Sequence, residues 1–195
     1  MKLLKLNSKN YQKVFKEMVV AIKDSRVIVC PTDTVYGLIC DATNKKAVEK
    51  VFQIKKRPKN KPIPIFVKDI KMAKKIAKID KKQEKILKSV WPGKVTCALK
   101  RKKLKLYGVD KKTIALRIPN YKLILDLIEK TRIPLSGTSA NISKKPASTK
   151  IKEVIKQLAN QKYQPELVID AGNLSRGRPS IVLDLIPFPP KILRK

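Results

Sequence analysis

Short apolar runs alternate with helix-period stretches along the whole chain, and no other feature limits its possible folds as strongly. Val14, Phe15, Met18, Val19 and Ile22 recur at helical spacing, so the segment Tyr11 to Ile22 has one apolar face. Asp24 and Ser25 break it, and Val27 to Cys30 reads as a short buried strand running into Pro31. Asn44 is placed to cap a helix through about Ile54, its side-chain oxygen accepting from a free N–H of the first turn. Ile63 to Val67 reads as a second strand; Pro64 inside it points to a sheet edge, where a missing ladder donor costs little. Helices are predicted over Ile70 to Ala77 and Lys81 to Val90, before WPGK turns the chain. Val95 to Leu99 and Thr113 to Ile118 are strand-like, with a basic, loop-like LKLYG between them. Leu123 to Glu129 reads as helix and Ile133 to Ser136 as a short strand, and Ile151, Val154, Ile155 and Leu158 form the stripe of a last helix. Leu167 to Asp170, Ile181 to Leu185 and Lys191 to Leu193 complete the strands. Several successive strand pairs lack the crossover helix that parallel pairing needs, so the pattern predicts an α/β domain with a mixed sheet. A chain of 195 residues fits one such domain, 1–195, with room for a hydrophobic core.

Composition removes several function classes. No apolar run approaches the roughly 18 to 20 residues that span a bilayer. The N-terminal MKLLKLNSKNYQK lacks the continuous apolar stretch and cleavage site of a signal peptide, so neither leader nor anchor is read. Cys30, Cys40 and Cys97 form no CxxC pair, and their odd number cannot close a disulfide framework, which fits a reducing cytoplasm. Histidine is absent. That excludes His-dependent triads and HExxH metal sites, and no metal site built from protein side chains is expected. Lys and Arg number 47 against 15 Asp and Glu, a formal charge of +32. Such a surface attracts polyanions, nucleic acid first among them. The lysines are spread along the chain, so a coding bias that decorates solvated helix faces explains them equally well.

Three segments can carry chemistry. PTDTVYGL (Pro31 to Leu38) follows a buried strand. In extended chain the hydroxyls of Thr32 and Thr34 point the same way, and Gly37 admits a close ligand. A strand end capped by a turn accounts for the same residues. IKKRPKNKP (Ile54 to Pro62) sets Lys55, Lys56, Arg57, Lys59 and Lys61 between a helix and a strand. There they can clamp phosphates, Arg57 with a planar fork, or simply form a solvated helix end. GTSANIS (Gly137 to Ser143) can present Ser139 and backbone N–H groups to an anion, or be an ordinary polar loop. GNLSRGRPS (Gly172 to Ser180) is not a phosphate-binding P-loop, because Pro179 follows Arg178 and a strand-like IVLDL comes next.

Taken in order, PTDTVYGL, KKRPKNKP, WPGKVT, LRIP, GTSANISKKP, RPSIVLD and a terminal ILR resemble the threonylcarbamoyl-AMP synthase family from about Val27 to Arg194. The resemblance implies a YrdC-like fold: a twisted mixed parallel and antiparallel sheet flanked by helices, with a large positively charged cavity. It implies a nucleotidyltransferase that condenses L-threonine, bicarbonate or CO2 and ATP, with Mg2+, into threonylcarbamoyl-AMP and pyrophosphate. A threonylcarbamoyl transferase complex would then make N6-threonylcarbamoyladenosine (t6A) at adenosine 37 of tRNAs reading codons that begin with A. Direct tRNA or RNA binding is compatible with it; a membrane is not involved.

By position, the resemblance assigns catalysis to Lys55 and Arg57, and ATP binding to Arg57, Lys61, Thr96, Ser139, Ala147 and Arg194. L-Threonine would be surrounded by Thr34, Phe66, Arg117, Gly137 and Ser180, with Arg117 the natural partner of its carboxylate. Thr32 and Asn141 would support the site, Asn141 by shaping the loop that carries Ser139. Departures from the family pattern are Phe66 for a frequent His, Lys61 for a frequent Asn, Ala147 for a frequent Ser, Ile181 for a usual Thr and Lys144 for a usual Gly. One residue follows Arg194, without the customary glycine, and the C-terminal domain of longer members is missing, which reads as the short, single-domain form. Two other classes fit parts of the sequence: an RNA-binding module that has lost catalysis, favoured by the charge, and a carbamoyl-transfer domain such as occurs in a larger hydrogenase-maturation factor, whose zinc-finger cysteines are absent here.

Overall fold

The computed structural model describes every residue except Arg176, Arg178 and Lys195, so Arg178 of the RPS motif lies outside the described residues. In chain order the elements are β1 (Lys2–Lys5), α1 (Tyr11–Lys23), β2 (Ile28–Cys30), β3 (Gly37–Asp41), α2 (Lys45–Lys55), β4 (Ile65–Phe66), α3 (Ile70–Ile76), β5 (Ala77–Lys78), α4 (Lys81–Val90), β6 (Val95–Arg101), β7 (Thr113–Arg117), α5 (Lys122–Thr131), β8 (Leu135–Ser139), α6 (Ile151–Leu158), β9 (Leu167–Asp170), β10 (Ile181–Asp184) and β11 (Lys191–Arg194). Local chemistry starts several helices. The Asn44 side chain accepts from Ala47 N at 3.1 Å to open α2, and Asp69 accepts from Met72 N at 2.6 Å to open α3. At α4, Asp80 and Gln83 exchange the reciprocal bonds of a capping box.

One sheet runs β1-β9-β2-β3-β8-β4-β7-β6-β10-β11, with β5 paired to β6 off this path. The β1–β9, β2–β9, β4–β7 and β6–β10 pairs are parallel. The β2–β3, β3–β8, β4–β8, β6–β7, β5–β6 and β10–β11 pairs are antiparallel. The sheet is therefore mixed, as the pattern predicts.

Period-two alternation sends side chains to both faces. Ile28, Cys30 and Ile39 pack under α1 and α5, whereas Val29, Leu38 and Cys40 pack against α2 and α6. Both faces of β2 and β3 are buried, which is why their sequences are nearly continuous in apolar residues. On β6 and β7, Cys97, Leu99 and Leu116 join the core formed with Ile76 of α3 and Leu87 of α4. The alternate residues Thr96, Ala98, Ala115 and Arg117 are left for a cavity.

Two expectations need correction. The segment Ile63 to Val67 contributes only Ile65 and Phe66 to the ladder, and they lie in the middle of the sheet between β8 and β7, not at an edge. Pro64 sits just outside the paired residues and offers only its carbonyl, to Gly137 N at 2.9 Å, so its missing N–H breaks no bond. The strand read at Ile133 to Ser136 runs instead from Leu135 to Ser139, so Gly137, Thr138 and Ser139 are ladder residues and the loop begins at Ala140. Strands β1, β3 and β5 have no counterpart in the sequence reading.

Candidate active site

A cavity of about 350 Å³ opens across β3, β8, β4, β7, β6, β10 and β11, a size in the usual range for small-molecule sites. Neighbouring strands supply Gly37, Gly137 and Ser139, Phe66, Arg117, Thr96, Val182 and Arg194 in turn. Segments scattered from residue 32 to residue 194 thus converge because the strand order, not the chain order, sets their spacing.

Arg57 reaches the cavity through the end of α2. Lys56 takes the left-handed conformation (φ 50°) as the C-cap, and Arg57 N bonds back to Phe52 O at 2.9 Å. This reversal turns Lys55 into the protein and Arg57 toward the cavity. The Arg57 guanidinium donates to the carbonyls of Lys61 and Pro62 at 2.9 and 3.0 Å. Its pKa is lowered, first by burial and then by the charge of Arg194. Lys56, Lys59 and Lys61 are exposed, as a solvated helix end would have them.

Lys55 is different again. Only 2% exposed, it donates to Ser139 O at 2.5 Å, Asn141 O at 2.9 Å and Asn141 Oδ1 at 2.9 Å. These three acceptors use all three ammonium hydrogens. Lys55 is not among the cavity-lining residues, which corrects the expectation that it grips phosphates directly. Asn141 accepts from Ser139 Oγ at 2.6 Å and donates to Ile142 O and Lys145 O, so its amide is fully spent within the loop. Ala140 N bonds Tyr36 O at 2.7 Å, and Tyr36 N bonds Ser148 O at 3.1 Å. The SANIS loop is therefore fixed to PTDTVYGL by backbone, and to α2 by Lys55.

Thr32 and Thr34 do point the same way, with their hydroxyl oxygens 3.0 Å apart. The Thr32 hydroxyl also donates to Val35 O at 2.6 Å, which satisfies part of the turn-capping alternative, yet both residues line the cavity. Gly177 packs its Cα face against this turn: a Cβ there would stand 2.0 Å from Thr34 O. Opposite, Arg117 donates from Nε to Gly93 O at 2.8 Å and from Nη2 to Asp33 Oδ1 at 2.6 Å. Its guanidinium lies 5.8 Å from the Phe66 ring centroid, a cation–π distance. A Cβ on Gly137 would come within 2.4 Å of that ring, so only glycine lets Phe66 lie where it does. Thr96 Oγ1 and Ser180 Oγ are 2.8 Å apart, and Arg194 donates to Ser180 O at 2.6 and 3.1 Å. Burial lowers the pKa of Arg194, and the charge of Arg194 adds to burial in lowering that of Arg117. Three guanidiniums thus share one enclosed space.

Of the sequence-predicted residues, Thr32, Thr34, Arg57, Phe66, Thr96, Arg117, Gly137, Ser139, Ser180 and Arg194 line this cavity. Lys55, Lys61, Asn141 and Ala147 do not. Lys61 projects outward and acts here only through its carbonyl, and Ala147 is a half-buried loop residue. Two acids escaped the sequence reading. Asp33 pairs with Arg117 from 84 residues away, and nothing local to PTDT marks that partner. Asp110 lines the cavity but already accepts from Lys112 N and Thr113 N. Among the described residues no group of three or more Cys, Asp or Glu is placed to hold a metal ion. No helix of the described residues is long and apolar enough to cross a membrane.

The family model Sua5_yciO_yrdC, described as "Telomere recombination", matches residues 20–195. The chain is 35% identical over 184 residues to a putative threonylcarbamoyl-AMP synthase of Methanocaldococcus jannaschii, covering 94% of this chain and 86% of that one. The chain belongs to the Sua5/YciO/YrdC family. Two solved family structures superpose closely. Sua5 of P. abyssi complexed with L-threonine gives a TM-score of 0.86 at 30% identity, over 99% of this chain and 56% of that one. YciO of E. coli gives 0.85 at 25% identity, over 100% and 94%. The chain thus spans little more than half of the Pyrococcus Sua5 and nearly all of YciO. The family's mixed sheet flanked by helices is the fold found here.

Proposed function

We propose that this chain is an L-threonylcarbamoyladenylate synthase, a nucleotidyltransferase that joins L-threonine, bicarbonate or CO2 and ATP. One observation carries the reading: Arg57, Arg194 and Ser139 share a single cavity with Arg117, Thr34 and Ser180. A cluster able to bind polyphosphate therefore adjoins one able to bind an amino acid. The names of the family relatives, and the L-threonine in the Pyrococcus Sua5 complex, support it.

The chemistry suits a site without histidine. The neutral amine of threonine adds to CO2 with loss of one proton to solvent, or to bicarbonate with loss of water, to give a carbamate. A carbamate oxygen attacks the α-phosphorus of ATP, and the bond to the β-phosphoryl oxygen breaks to release pyrophosphate. Such a transfer needs alignment and charge neutralisation more than a proton-shuttling side chain. Arg57 and Arg194 neutralise the leaving pyrophosphate, Ser139 and Thr96 contribute hydroxyls, and Arg117 orients the amino-acid carboxylate. Lys55 keeps Ser139 in place rather than touching phosphate. The neighbouring positive charges also favour the neutral amine. The one carboxylate of the lining, Asp110, is committed to backbone N–H groups. The donors present therefore fit a Mg2+ ion held by the nucleotide's own phosphates, which would add charge neutralisation there.

The same reading gives the protein a cytoplasmic place, consistent with three buried free cysteines, a threonylcarbamoyl transferase complex as the consumer of its product, and t6A-modified tRNA as the end point. The exposed lysines leave direct tRNA contact available. Mass spectrometry of products from ATP, bicarbonate and L-threonine, with L-serine as control, tests the assignment. Threonylcarbamoyl-AMP is expected with threonine alone; absence of any adenylate would contradict it.

A further inference from the structure

We infer that Asp33 is a positioning residue that fixes the Arg117 guanidinium and so sets the affinity of the cavity for an α-amino-acid carboxylate; the inference rests on the synthase reading above. Asp33 sits between Thr32 and Thr34, both of which line the cavity while Asp33 does not. Its side chain is 7% exposed and that of Arg117 4%. Asp33 Oδ1 accepts from Arg117 Nη2 at 2.6 Å, and Oδ2 accepts from Asn120 N at 3.0 Å. The second bond ties the carboxylate to the backbone just after β7, the strand that ends at Arg117. Gly93 O holds Nε from another side at 2.8 Å. Two of the five guanidinium N–H groups are thereby fixed in direction, and because the group is planar the remaining three are aimed as well.

The charge distribution gives this pairing a second consequence. Among the described residues neither Arg57 nor Arg194 takes part in an ion pair; their partners are carbonyls and the Ser180 hydroxyl. Arg117 alone of the three has a carboxylate against it. Arg117 thus brings its own counter-ion to the cavity, which suits a zwitterion, whereas Arg57 and Arg194 have none among the described residues and are left for a polyphosphate. Without Asp33, Arg117 becomes a buried charge with no counter-ion, held in direction by Gly93 O alone.

The test is Asp33→Asn, read by calorimetric titration of L-threonine and by separate KM values for threonine and ATP. The variant is expected to weaken threonine binding about tenfold or more, the scale of losing a hydrogen bond between charged groups. Its KM for ATP should stay within about twofold of wild type, a split that a general loss of structure does not produce. If wild type binds threonine and Asp33→Asn binds it equally well, or if both KM values rise together, the inference is overturned while the synthase reading stands. If wild type shows no saturable threonine binding, both fall. Should Asp33→Asn fail to fold, Asp33→Glu keeps the charge but displaces it by a methylene. Weakened threonine binding with ATP unaffected then supports the inference, and unchanged threonine binding overturns it.

Discussion

The ammonium of Lys55 lies 2.9 Å from the amide oxygen of Asn141, a residue 86 positions away in sequence. With the carbonyls of Ser139 and Asn141 completing its coordination, this lysine is a buttress of the loop that carries Ser139. Burial, with the charge of Arg57 added, lowers its pKa from 10.5 to about 7. In the unfolded chain lysine keeps its proton up to about 10.4. Between these values the unfolded state binds more protons than the folded one, so the term grows more stabilising as pH rises. The cost of charging Lys55 is fully present below about 7 and is gone by about 10.4. Lys55→Met lacks this term. Urea unfolding at pH 7, 8 and 9 should show the stability of wild type, minus that of the variant, rising by about 1 kcal/mol per pH unit. A difference independent of pH would mean an ordinary lysine.

Arg57 is the only basic residue of the IKKRPKNKP run that lines the cavity. Arg57→Ala should lower threonine-dependent pyrophosphate release by roughly two orders of magnitude or more, the scale of losing one charge-stabilising group. Lys59→Ala, which changes an exposed side chain, should leave the rate close to wild type. Equal rates in wild type and Arg57→Ala would remove Arg57 from the chemistry.

Gly137→Ala would drive a methyl to between 2.4 and 2.7 Å from three Phe66 ring atoms. The ring must then move, and Arg117 stands against it. The variant should lose about 1–3 kcal/mol of stability through overpacking and raise the KM for threonine more than that for ATP. Adding Phe66→Leu removes the clashing ring edge and should recover most of the lost stability. A double variant as unstable as Gly137→Ala would show that the strain lies in the backbone.

Much of the fold was legible because its signals are local. The stripes of α1, α4 and α6 and the Asn44 cap need no tertiary information. β3 has no local signature because GLICD, buried on both faces, offers no alternation, and its first two residues belong to the PTDTVYGL motif. The four residues of β1, KLLK, are too few for their pattern to stand out from a basic N-terminus, and β5 is two residues long. Pro64 misled because a proline beside a ladder and one within it look alike in sequence. In the site, the family resemblance located Arg57, Arg117, Ser139 and Arg194, but residue type did not show which lysine points inward. That follows from the left-handed Lys56 and from carbonyls more than eighty residues away. Asp33 was illegible for the same reason: its role is set by the neighbour that the strand order gives it.

The claim on which the rest stands is that one cavity holds a triphosphate beside an amino acid. Titration calorimetry of ATP with Mg2+ into the protein, with L-threonine and bicarbonate present, measures it directly. Saturable binding at one site per chain, lost in Arg57→Ala and weakened when threonine is omitted, is the expected result. No saturable nucleotide binding, even with both cosubstrates and the metal supplied, would contradict it.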